Sequence, residues 1–238
     1  MSTSGYHSSS SSSALFQRPD TDLREIASPT LPKETELIGT SAAMERLRLQ
    51  VRRIGPHFRT VLVSGEAGCG KEVAARALHG LSQGADQPFV ACHAATLEDS
   101  DPFAALMKTA GRGTLFLDDI GEMPLEAQGH LLRVLRRHEW SQDCLSGAQT
   151  LSVRLSASSS HDLRGLVSAG RFRQELYKRI ATLEITVPPL RERMEDLPML
   201  AEYFVGQFAQ MYDKCVERIA KDAMERLMAH RWPGNVRE

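Results

Sequence analysis

The sequence predicts an α/β fold in which a parallel sheet carries helices on both faces and is followed by a small, purely helical unit. Three observations carry this. Short β-branched or apolar runs alternate with helical patterns as far as residue 187, the signature of successive βαβ units. A glycine-rich turn, GEAGCGKE at 65–72, joins the first such run to a helical stretch. After PPLRER (188–193) the strand-like runs stop and only helical patterns remain.

Taken in order, AAMERLRLQVRRI (42–54) sets Met44, Leu47, Val51 and Ile54 at helical spacing, which predicts a helix with one apolar face. TVLVS (60–64) reads as a strand buried on both faces, and VAARALHGL (73–81) as the helix that follows the turn. PFVAC (88–92) is the second strand, and GTLFLDD (113–119) is the third, an apolar run ending in two aspartates. PLEAQGHLLRVLRR (124–137) opens with a first-turn proline and groups Leu131, Leu132 and Leu135, so it predicts a helix. LSVRLSAS (151–158) and ATLEITV (181–187) complete the strands. EDLPMLAEYFVGQFAQMYDK and KDAMERLMAHRW supply the helical unit. WPGNVRE (232–238) reads as a further helix opening at an Asn235 cap and cut short, so this unit is expected to be truncated.

The 238 residues hold 29 Lys plus Arg against 30 Asp plus Glu, a formal net charge of -1. That balance excludes a nucleic-acid binder acting through bulk positive charge. Apolar residues at 42% leave enough material for a core. No run approaches the ~20 apolar residues of a membrane span, and the N-terminus lacks signal-peptide organisation. The four cysteines form no CxxC pair, against both a disulfide framework and a zinc ribbon. A soluble cytoplasmic protein is expected. Residues 1–33, with serine at every position from Ser8 to Ser13, form a leader expected to be disordered.

The turn at 65–72 carries the chemistry. Between a strand and a helix, G-x-x-x-x-G-K is a phosphate-binding loop. Gly65, Gly68 and Gly70 permit a path that aims successive N–H groups from Glu66, Ala67, Cys69 and their neighbours at phosphate oxygens. The helix N-terminus adds its positive end, and Lys71 would reach the β- and γ-phosphates of a bound nucleotide. Glu72 stands where Ser or Thr normally helps to hold Mg²⁺. The third strand delivers Asp118 to its C-terminal edge, where a carboxylate holds Mg²⁺ directly or through water. Asp119 follows, placed to orient or deprotonate an attacking water. A pair of acids is also an ordinary solvated strand end; the phosphate loop upstream selects the functional reading.

Seven stretches, in order, support a family resemblance: LIGTSAAM (37–44), GEAGCGKEVAARALH (65–79), GTLFLDDIGEMP (113–124), LLRVLRRHEW (131–140), GRFRQELYKRI (170–180), VPPLRERMEDLP (187–198) and WPGNVRE (232–238). Together they resemble the AAA+ domain of the sigma-54-dependent transcriptional activators, the bacterial enhancer-binding proteins. The family's own loop usually ends in Lys-Glu, which agrees with Glu72. The resemblance implies a five-stranded parallel AAA+ core at 34–190 and a helical lid at 191–238, with ATP between them. It implies that Arg173 and Arg179 are the trans-acting arginine fingers of a hexameric or heptameric ring, and that Arg237 is the lid arginine that senses the γ-phosphate.

Four departures qualify the resemblance. HAATLEDSDPFAALMKTAGR replaces the long insertion that carries a GAFTGA-type loop, so ordinary sigma-54 contact and remodelling are not expected. The family's Asp-Glu is Asp118-Asp119, which retracts the second carboxylate by about one C–C bond, ~1.5 Å; misplacement near 1 Å can cost ~10²-fold in rate. The family's Asn-Cys-Ala-Ala reads Cys92-His93-Ala94-Ala95, and His93 reads as drift rather than a new base. Its Ala-Thr-Asn under the γ-phosphate reads Ser158-Ser159-Ser160, and Ser160 reaches less far than asparagine. The expectation is a transcription-regulatory module that binds ATP and hydrolyses it weakly. The alternatives are a non-enzymatic, nucleotide-gated scaffold or partner of an intact paralogue, and a regulator of sigma-70-type promoters. DNA binding is not encoded in these residues.

Overall fold

The structure, a computed structural model, describes residues 36–97, 100–143, 153–216 and 218–238. The serine-rich leader at 1–33 and the first two residues of the fourth strand-like run lie outside them.

Helix α1 (Ala42–Ile54) begins where Ser41 Oγ accepts the Met44 N–H, with Glu45 in its first turn and Arg52 and Arg53 in its last, each charge facing the favourable end of the helix dipole. Strand β1 (Thr60–Ser64) runs into the loop at 65–70 and then α2 (Lys71–Gly80). Strand β2 (Phe89–His93) is followed by a short turn and α3 (Ser100–Ala110), then β3 (Thr114–Asp118) and α4 (Leu125–Asp143). Strand β4 (Arg154–Ser159), α5 (Leu163–Ser168), α6 (Gln174–Ile180) and β5 (Glu184–Thr186) complete the α/β part. Helices α7 (Leu197–Met211) and α8 (Lys221–Ala229) follow.

All five strands are parallel, in the order β2-β3-β4-β1-β5. Alternation along the strands assigns side chains to two cores. Leu62, Leu115, Leu117, Leu155 and Ala157 face the cluster that includes Phe103, Leu131 and Leu176. Val61, Val63, Phe116 and Ile185 face the cluster that includes Met44, Leu47 and Leu78. Helices α3, α4 and α6 therefore cover one face and α1 and α2 the other. Burial on both faces is why the strands read as unbroken apolar runs. Burying one such leucine or phenylalanine stabilises the fold by about 1.5–3 kcal/mol.

Two elements differ from expectation. Strand β5 keeps only Glu184–Thr186, because Ala181 N–H still donates to Tyr177 O and Thr182 Oγ1 to Arg179 O, so those residues finish α6. Asn235 does not cap a helix: it is buried, has φ +56°, and lies inside a 3₁₀ turn spanning Asn235–Arg237.

Asp196, fully buried before α7, ties the helical unit to the start of α1. Its Oδ1 accepts the N–H groups of Thr40 (2.6 Å) and Ser41 (2.8 Å), and Oδ2 accepts the Ser41 hydroxyl (2.6 Å). Asp196→Ala leaves these donors without an acceptor and is expected to cost about 3 kcal/mol in urea unfolding. A loss below about 0.5 kcal/mol, the scale of an ordinary surface change, would contradict this account.

Candidate functional site

Parallel strands place all their C-terminal ends on one edge, where open α/β sheets hold their ligands. Register pairs Ser64 with Ser159 and His93 with Asp118, so the loop after β1, both aspartates and the end of β4 gather there.

The loop at 65–70 bends through Gly65 (φ +149°), Gly68 (φ +76°) and Gly70 (φ +104°). Gly70 occupies the N-cap position of α2, and no side chain caps that helix. Its first-turn amides thus face the loop without an internal acceptor. Lys71 is buried, and its Nζ donates to Gly65 O (3.1 Å) and Glu66 O (3.2 Å) and stands 3.8 Å from Asp119 Oδ1. Burial pushes the Cys69 thiol up from its ordinary pKa; Cys69 O accepts from the buried Arg193 guanidinium (2.8 Å). Glu72 lies on the helix surface, paired with Arg76 one turn on (2.8 Å).

The two aspartates are held by serines of β4 and the residue after it. Ser158 Oγ donates to Asp118 Oδ1 (2.5 Å) and accepts the Asp119 N–H (2.9 Å). Asp119 has φ +48°, a left-handed conformation that is costly away from glycine. Its Oδ1 accepts both the N–H (2.9 Å) and the hydroxyl (2.8 Å) of Ser160. Burial pushes the Asp119 carboxyl up, but the Ser160 hydrogen bonds and the Lys71 charge outweigh it, and the group sits below its ordinary pKa. Two carboxylates with hydroxyl second partners form a donor set suited to a hard divalent cation.

The turn at 235–237 closes over the loop. Val236 and Arg237 N–H both donate to Gly68 O (3.0 and 3.2 Å). A Cβ on residue 68 would stand 2.1 Å from Gly234 O, so only glycine allows the approach. Asn235 Nδ2 donates to Ala67 O (3.0 Å) and Glu66 Oε2 (3.2 Å), while its Oδ1 accepts the Leu190 N–H (2.8 Å). Arg191 grips the Glu66 carboxylate with both terminal nitrogens at 2.7 Å. Beside this contact lies a cavity of about 440 Å³ lined by Leu37, Ile38, Val187, Leu200, Tyr203 and Gly70, among others.

The structure thus brings Gly65 to Glu72, Asp118, Asp119, Ser160 and the Arg237 main chain to one edge of the sheet, with the Arg237 side chain exposed. The other two arginines sit on the α6 segment. Exposed Arg173 donates from Nε to Leu125 O (3.2 Å), and its N–H is held by Gln128 Oε1 (2.8 Å). Arg179, in the last turn of α6, lines a groove with His57, Arg59 and Lys178. Sequence reasoning missed the contacts that Ser158 and Asn235 make, the Glu66–Arg191 pair and the apolar cavity. An oppositely charged pair separated by 125 residues leaves no local pattern, and Asn235 gave a cap signal that its burial overrode.

Comparison with known proteins bears on this geometry. Residues 38–190 match the sigma-54 interaction domain family and residues 191–238 the AAA+ ATPase lid domain family. The nitrogen assimilation regulatory protein NtrX of Azorhizobium caulinodans is 36% identical over 232 residues, covering 91% of this chain and 51% of that protein. The DNA-binding transcriptional regulator NtrC of a Bradyrhizobium strain is 41% identical over 223 residues, covering 85% of this chain and 46% of that protein. The crystal structure of NtrX from Brucella abortus in complex with ATP has a TM-score of 0.74 at 34% identity, covering 86% of this chain and 51% of that one. The chain spans about half the length of these relatives. Among the described residues no helix is long and apolar enough to cross a membrane.

The Glu66 contact carries a pH dependence. Hydrogen bonds from Arg191 and then Asn235 lower the Glu66 pKa from 4.5 to about 2. A lowered folded-state value stabilises fully above the unfolded value near 4.5 and is lost as pH falls through about 2. The thermal-midpoint advantage of the native chain over Glu66→Gln is therefore expected to hold at neutral pH and to shrink between pH 4.5 and about 2. A pH-independent gap across that window would contradict the pairing.

Proposed function

The chain belongs to the sigma-54 interaction domain family of AAA+ proteins, and on that premise we propose that it is a transcription-regulatory module that binds ATP with Mg²⁺ and hydrolyses it slowly. The observation that carries the slow-hydrolysis reading is the double hydrogen bond from Ser160 to Asp119 Oδ1. A general base must reach the water it activates; a short carboxylate turned onto the sheet edge and facing Lys71 is poorly placed to do so.

Binding rests on different residues. The amides that open α2, together with the path through Gly65, Glu66, Ala67, Gly68, Cys69 and Gly70, face the phosphates, and Lys71 exchanges its carbonyl acceptors for them. The apolar cavity beside Gly70 takes the base, an environment of the kind that buries a flat ligand. Asp118 would hold Mg²⁺ through its carboxylate, and the cation when bound screens the phosphate charge. Ser160, which holds Asp119, lies at the edge that the γ-phosphate would face. Arg237, carried on the turn that docks on Gly68, reaches toward the γ-phosphate, so the lid senses occupancy.

Arg173 and Arg179 lie on the α6 segment, and bidentate donors there can complete a neighbouring subunit's site. The working unit is then a ring of six or seven copies or a mixed assembly with a paralogue. Among the described residues the connection between β2 and β3 holds a short turn and α3, and its sequence, HAATLEDSDPFAALMKTAGR, carries no GAFTGA-type segment to grip sigma-54. Assembly without that grip favours regulation through partner subunits. The core and lid divide between Leu190 and Arg191, next to the contacts that join the lid to the phosphate loop.

Equilibrium dialysis with labelled ATP and magnesium is expected to show uptake by the native chain and loss of uptake in Lys71→Ala. Steady-state turnover is expected below ~1 s⁻¹, the low end of ordinary enzyme rates. Asp119→Glu with Ser160→Asn is expected to raise it by up to ~10²-fold. Absence of ATP uptake by folded protein would overturn the reading; native turnover above ~1 s⁻¹ would overturn its slow-hydrolysis part.

A further inference from the structure

The pairing of β2 with β3 sets His93 beside Asp118, and the left-handed turn after β3 brings Asp119 to the same point. One ring nitrogen of His93 and one oxygen from each aspartate all lie within 4.8 Å of one another. Two ligands on one transition ion, each about 2.1 Å from it, stand at most about 4.2 Å apart, so a small side-chain rotation closes the set. We propose that His93, Asp118 and Asp119 form a site for a first-row transition dication such as Mn²⁺, one that fills without nucleotide.

Three features support it. Ser158 and Ser160 bind the Oδ1 atoms of Asp118 and Asp119, which orients each carboxylate; such outer partners orient metal-binding groups. His93 is exposed and lightly held. Its Nδ1 accepts a long bond from the Ala95 N–H (3.3 Å), and its Nε2 faces Glu122 Oε2 at 3.9 Å. Imidazole with two carboxylates favours transition dications over Mg²⁺, which prefers oxygen and water. Lys71 opposes the ion, since its ammonium stands 3.8 Å from Asp119 Oδ1, but it has two carbonyl acceptors of its own. The proposal goes beyond ATP binding, because it assigns a nitrogen ligand and an ion preference to the protein alone.

The test is pulsed electron paramagnetic resonance on the nucleotide-free chain titrated with Mn²⁺. Bound Mn²⁺ is expected to show ¹⁴N modulation from a directly coordinated imidazole, and to persist against about a 100-fold excess of Mg²⁺. His93→Gln, an exposed substitution that keeps the fold by circular dichroism, is expected to abolish the ¹⁴N modulation and weaken Mn²⁺ binding at least about tenfold. No bound Mn²⁺ at about 1 mM, displacement by Mg²⁺, bound ion without ¹⁴N modulation, or modulation that survives in His93→Gln would each overturn the proposal. Any of these results would leave ATP uptake, measured separately by dialysis, unaffected, so the two readings fail independently.

Discussion

The close approach of two backbones at Gly68 and Gly234 is the constraint on which the candidate site depends. Because residue 68 has no Cβ, its carbonyl can accept two N–H groups from the turn at 235–237. That contact brings Asn235 onto Ala67 and Glu66, and sets Arg191 against the Glu66 carboxylate. The helical unit and the phosphate loop are joined there by main-chain geometry, with the charged pair at the rim adding orientation more than energy, as exposed pairs usually do.

A second theme is the use of serine hydroxyls to hold acids. Ser158 touches both aspartates, and Ser160 holds the second through two donors. Hydroxyls are short and donate one hydrogen, so they hold the carboxylates close to the sheet edge. The arrangement trades reach for order. It suits a cation better than a water that must be activated at a distance, and the proposals of weak hydrolysis and of a transition-ion site both follow from that geometry.

Kinship with the sigma-54 interaction domain family supplies the frame in which these features make sense, since the fold, the loop and the lid all fall within it. The chain's particular character lies in a few positions at the sheet edge. His93, read from sequence as drift, has a ring nitrogen within 4.8 Å of one oxygen of each aspartate. Arg173 and Arg179 lie on the segment that leads from β4 to β5, where an assembled neighbour would give them their role.

The sequence by itself determined the layer order, the five strands, the phosphate loop and the two acids. Those features rest on local rules: apolar runs buried on both faces, a glycine turn between strand and helix, and acids at a strand end. Strand β1 and helix α1 have the expected limits, because a buried apolar run and a Ser41 cap leave little freedom. Only the tertiary structure decided which partners Asn235, Ser158 and Arg191 meet. Each acts on a partner brought close by strand register or lid docking, such as Glu66, which lies 169 residues before Asn235. A pattern along the chain records the spacing of neighbours, and it holds no record of which distant backbones the sheet will align.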